Sequence, residues 1–140
     1  MTLGKRRKAR EIVLQALYES EFSDQPWEAI LDSQTSRRES TPETVEYARL
    51  LLSKTVETAA DLDEKIRSVV ENWEMERISL IDKNILRFAL CEILYFPDVP
   101  SKVIVNEAIE IAHKYSSHEA GKFVNGILDR LLRLYRQDSN

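Results

Sequence analysis

Five of the six residues from Lys5 to Arg10, within GKRRKAREIVLQALYE, are basic, and an apolar helical pattern begins directly behind them. Side chains of this type at this density neutralise phosphates: Arg grips a phosphate through two hydrogen bonds, and Lys acts as a point charge. The plainer reading is a solvated helix start. Cations at a helix N-terminus oppose its macrodipole, however, so nothing local favours Lys5, Arg6, Arg7, Lys8 and Arg10 there, and an external anion does. The whole chain has a formal net charge of -4 while its first ten residues carry +5, which leaves -9 on residues 11–140. A short cation attached to an acidic body speaks to a partner of opposite sign.

Aromatic rings near such a run matter because unpaired bases stack on them. Tyr18 stands two turns beyond Arg10 on the same helix. In the last apolar stripe (Val124, Ile127, Leu128, Leu131, Tyr135), Phe123 falls about 100° from the centre, and Arg130 lies about 20° from Phe123. The sequence leaves two placements for that ring: the margin of the core, or a partly open face offered to a base. Arg87 within ILRFAL needs a partner, and a buried structural ion pair is expected. Trp27, Trp73, Phe88, Tyr95 and Cys91 read as core residues.

Catalysis finds no support in the motifs. His113 and His118 are the only histidines; five residues apart, they would lie about 140° apart on one helix. A capping signal between them puts them on different helices instead. No Ser or Cys has a local base partner, and no glycine-rich phosphate loop occurs. No enzyme activity, catalytic residue, cofactor or metal site is expected.

The elements that position these residues are helices. Ala9, Ile12, Val13, Ala16 and Leu17 form the first apolar face, so the basic run belongs to the first turns of that helix. A short segment around Pro26–Leu31 follows, and the polar DSQTSRREST of residues 32–41 reads as a loop. Thr41-Pro42 opens the next helix, with Thr as cap and Pro at the first helical position. Asp61 with Glu64 marks a restart or a bend. Ser79 with Asp82 precedes NILRFALCEILYF, which is apolar around most of its circumference and belongs at the centre of the fold. Pro97 and Pro100 end it. A helix over roughly Val103–Tyr115 and another from Ser116, with Glu119 as capping partner, to about Tyr135 complete an all-α chain of six or seven helices.

The bulk numbers agree. In 140 residues there are 3 Gly and 4 Pro, too few for the turns of an all-β fold. The single cysteine cannot pair within the chain, which fits a reducing, cytoplasmic setting. No run approaches the roughly 20 apolar residues of a membrane span. Gln15, Glu19 and Glu21 interrupt what a secretory signal would keep apolar.

Four blocks in order, KRRKAREIVLQALYE, IDKNILRFALCEI, VIVNEAIEIAHKYSS and KFVNGILD, resemble the NusB family of bacterial transcription antitermination factors. The resemblance runs from Arg6 to about Leu131. It implies two packed helical bundles within a single NusB-like domain over 1–140, the first at about 1–75 and the second at about 76–140. It also implies binding to boxA, a single-stranded element of nascent ribosomal RNA, together with NusE, a small-subunit ribosomal protein, within the RNA polymerase antitermination complex. Some members form homodimers instead. Lys5, Arg6, Arg7, Lys8 and Arg10 match the family's basic arm, Tyr18 matches the aromatic of its ALY motif, and Phe123 matches that of KFVNG, with Lys122 beside it. Glu119 stands where members often have Asp. The NusE surface falls around Glu76 and Asp82. A NusB-like domain fused to an RNA methyltransferase is not expected, since the chain ends at Asn140. A double-stranded DNA binder lacks a recognition helix. The rival is an adaptor whose arm meets an acidic protein or a second copy of the chain.

Overall fold

Apolar stripes at three- and four-residue steps, rarely interrupted by Gly or Pro, select helices, which satisfy backbone polar groups within each segment while burying those stripes. The structure, a computed structural model, describes residues 3–71 and 77–136, with side chains from residue 6 onward. Among the described residues it contains seven helices and no strand: α1 (Leu3–Ser20), α2 (Trp27–Arg37), α3 (Pro42–Glu57), α4 (Ala59–Val69), α5 (Leu80–Tyr95), α6 (Ser101–Tyr115) and α7 (His118–Tyr135). Trp73 and Glu76 lie outside the described residues.

Residues up to Glu57 form one compact unit, and those from Thr58 onward form a second. The division, expected near residue 75, falls earlier in the chain, after Glu57, because α4 packs against α5 and α7. In the first unit α1 lies against both α2 and α3, burying Ala9, Ile12, Val13, Ala16 and Leu17 with Ile30, Leu31, Ala48, Leu51 and Leu52. Thr41 Oγ1 accepts the Thr44 N–H at 3.2 Å, so Thr41-Pro42 opens α3 as its chemistry predicts. Residues 32–37, expected as loop, are the second half of α2. Gln34 is buried there and donates to Glu19 Oε1 at 2.9 Å, so a polar residue occupies the inward face. The connection beyond contains Glu39 at φ 48°, in the left-handed region that glycine usually fills.

The second unit is built around α5. Ile85, Leu86, Phe88, Ala89, Leu90, Cys91 and Ile93 are all buried, and α4, α6 and α7 each pack against this helix. Ser79 caps it by accepting the Asp82 N–H at 3.1 Å. Its far end is closed by Arg136, whose Nη1 donates to the Val99 carbonyl at 2.6 Å and Nη2 to the Phe96 carbonyl at 2.9 Å. A cation there answers the dipole and the open carbonyls together. Tyr95 departs from its expected place in the core, since it sits in the last turn of α5 and is exposed. Trp27, at the start of α2, is only partly buried.

Two capping assignments also change. α4 restarts at Ala59, and Asp61 does not cap it: its carboxylate accepts from Lys65 at 2.6 Å and raises the lysine pKa. α7 is capped by Ser117 rather than Ser116, through the Ala120 N–H at 3.0 Å. His113 and His118 do fall on different helices, and the turn between them stacks their rings, with centroids 4.8 Å apart. Gly121 makes the room, because a Cβ there would collide with the His113 imidazole.

Arg87 has the partner its surroundings require. Nε and Nη2 donate to the two carboxylate oxygens of Asp63 at 2.7 and 2.9 Å, and Nη1 donates to Asn84 Oδ1 at 2.8 Å. This fork joins α4 to α5. Asp63→Ala leaves the guanidinium without its counter-charge and is expected to lower stability by about 2–3 kcal/mol in urea denaturation; an unchanged midpoint would show that the pair is dispensable.

Candidate nucleic-acid interface

Helical geometry divides the basic run into an inner and an outer set. Arg6 and Arg10 are four residues apart and share the face that continues through Val13 and Leu17. Arg7 and Lys8 point the other way and are exposed. The ring of Tyr47, brought from α3 and itself buried, receives both inner cations: Arg6 Cζ is 4.6 Å and Arg10 Cζ 5.7 Å from its centroid. Cation–π attraction strengthens as water is removed, which offsets part of the cost of burying a guanidinium. Arg10 is 0% exposed. Its expected role as a phosphate contact is therefore corrected: in this fold Arg10 holds α1 on α3. The backbone of Lys5 belongs to α1, and its side chain lies outside the described residues.

Behind Arg10, the largely buried Glu11 pairs with Arg38 at 3.9 Å. At the opposite end of α1, Tyr18 is partly exposed and its ring meets Phe22 at a centroid distance of 5.3 Å and an interplanar angle of 59°. Phe22 is 72% exposed, and the reading of the sequence passed over it. Its spacing of four from Tyr18 was the available signal. Tyr18 stands about 12 Å along the helix from Arg10, given eight residues of rise, so it is not part of the Arg6–Arg10 cluster.

The remaining predicted residues lie in the second unit. Glu119 and Lys122 sit in the first turns of α7, exposed, with Lys122 Nζ 4.0 Å from Glu119 Oε1. Phe123 follows and is half-buried, between the two placements left open by its position on the wheel. Arg130 is engaged elsewhere, since its Nη1 donates at 2.7 Å to the carbonyl of Val69 at the end of α4. Asp82 is largely buried in the first turn of α5, with Oδ1 enclosed and without a hydrogen bond. Glu76, its expected companion, lies outside the described residues.

The family model described as the NusB family matches residues 7–133. The chain belongs to the NusB family. The transcription antitermination protein NusB of Dehalococcoides mccartyi (strain CBDB1) is 39% identical, the match covering 96% of this chain and 94% of that protein. Its counterpart in Thermodesulfovibrio yellowstonii is 41% identical, with 92% of each covered. Among solved structures, T. maritima NusB superposes with a TM-score of 0.86 at 37% identity, covering 94% of this chain and 93% of that one. A chain from the crystal structure of the antitermination factors NusB and NusE in complex with dsRNA gives the same TM-score at 21% identity, a likeness of fold. Among the described residues no helix is long and apolar enough to cross a membrane, and no three His, Cys, Asp or Glu residues are grouped to hold a metal.

The inner and outer basic residues separate by substitution. Arg10→Ala removes a fully buried side chain and is expected to cost about 2–4 kcal/mol in thermal or urea melts. Arg7→Ala and Lys8→Ala are expected to stay within about 0.5 kcal/mol of the parent. Equal stabilities for all three variants would contradict the division.

Proposed function

We propose that this chain is an RNA-binding transcription antitermination factor, acting in the cytoplasm and by binding rather than catalysis. In this reading residues 1–140 serve as a single NusB-like domain. With the NusE-type ribosomal protein it engages the single-stranded boxA element of nascent ribosomal RNA and helps RNA polymerase pass terminators. One observation carries the reading: relatives 39% and 41% identical along nearly their whole length are transcription antitermination proteins. The chemistry agrees with it. Arg7 and Lys8, exposed on α1, supply phosphate attraction, with Lys5 and Arg6 beside them in sequence. Phe123 offers an unpaired base a ring to stack on, with Lys122 and Glu119 available for polar contacts. The acidic body suits a basic ribosomal protein, with the start of α5 around Asp82 as its side of that contact.

Binding of a fluorescent boxA-like single strand is expected to be tightened by the NusE-type protein. With three or four phosphates neutralised, log K falls against log salt with a slope of about -2 to -3. A flat salt response removes the phosphate arm, and partner binding with no RNA binding leaves an adaptor. Phe123→Ala is expected to weaken the RNA complex by about 1–3 kcal/mol if the ring stacks on a base; lost stability with unchanged RNA affinity would make it a core residue only.

A further inference from the structure

Beside the Arg6–Tyr47 contact the first unit has an open pocket of about 450 Å³, lined by Arg6, Pro42, Glu43, Glu46, Tyr47 and Leu50. Three features set it apart from an ordinary surface groove. Its lining joins the buried Tyr47 ring to the exposed Leu50 side chain. One wall is a guanidinium held against that ring, with Nε enclosed and without a hydrogen bond. Its rim carries two carboxylates at the start of α3, beside the most cationic stretch of the chain.

Two carboxylates repel a phosphate, so the pocket does not duplicate the work of Arg7 and Lys8. A planar, uncharged group whose edge donates hydrogen bonds satisfies every feature: its face stacks on guanidinium and aromatic surfaces, and its edge meets a carboxylate. Guanine presents two adjacent donors, N1–H and the N2 amino group, to one carboxylate. Uracil flanks its single donor with two carbonyl oxygens that a carboxylate repels. Glu43 has an interaction of its own within the chain, whereas Glu46 has no hydrogen-bond or ion-pair partner among the described residues.

We infer that this pocket takes one unpaired guanine of a bound single strand, stacked on the Arg6 guanidinium and hydrogen-bonded to Glu46, while Arg7 and Lys8 hold phosphates further along the strand. This assignment rests on the RNA-binding reading and adds to it a base preference in the first unit. Tyr47 acts as a positioning residue, because it fixes the plane in which Arg6 is presented.

The test uses the full chain and three labelled 12-mers at one salt concentration: oligouridine, the same strand with one central guanosine, and the same strand with inosine there, which lacks the N2 amino group. The guanosine strand is expected to bind about tenfold tighter than oligouridine, with inosine between them. Glu46→Ala, an exposed change, is expected to abolish the guanosine preference, so that the three strands bind alike and oligouridine no more weakly than before. Salt-sensitive binding that is equal for all three strands overturns the guanine pocket and leaves the RNA-binding reading intact. A preference that survives in Glu46→Ala also overturns it, by placing the discrimination elsewhere. No binding to any strand removes the RNA-binding reading itself.

Discussion

The first unit depends on one aromatic ring that accepts two cations. With Tyr47 buried beneath Arg6 and Arg10, the start of α1 is anchored to α3 by side chains that a charge count would assign to solvent. The rest follows from the helical repeat. If positions 6 and 10 face inward, positions 7 and 8 face outward, and the helix presents them on its open side. Little ordering entropy then remains to be lost when a partner arrives. The same contact orients Arg6 at the mouth of the pocket beside α3.

Arginine serves a comparable structural purpose in the second unit. Arg87 is a fork between two helices, Arg130 closes the end of α4, and Arg136 closes the end of α5. Each uses the planar, multiply donating guanidinium on oxygens of a neighbouring element, a geometry that lysine does not reproduce. Fewer cations are therefore open to a partner than the sequence contains, with Arg7 and Lys8 the exposed pair on α1.

Much of this was legible in the sequence wherever a local signal and a burial pattern coincided. Thr41-Pro42 and Ser79 with Asp82 opened helices as their chemistry required, and the continuous apolar run of α5 had to be central. Arg87 in that run demanded a counter-charge and has Asp63. Illegible features arose where a residue departed from the usual signal. α2 ran on because the left-handed residue beyond its end is Glu39, so no glycine announced the stop. Two adjacent serines blurred the cap of α7 by one position. Arg10 was misplaced because charge was read ahead of register. Its steps of three and four to Val13 and Leu17 already put it on the buried face. Arg136 gave no signal at all, since its carbonyl partners come from a distant turn.

The most direct measurement is arginine- and lysine-selective chemical modification of the full chain, read by mass spectrometry, with and without a boxA-like single strand. In the folded protein Arg7 and Lys8 should react and Arg10 should not, and saturating RNA should protect Arg7 and Lys8. Modification of Arg10 in the folded chain, or undiminished labelling of Arg7 and Lys8 under RNA, would contradict the division of the basic run into a structural half and a binding half.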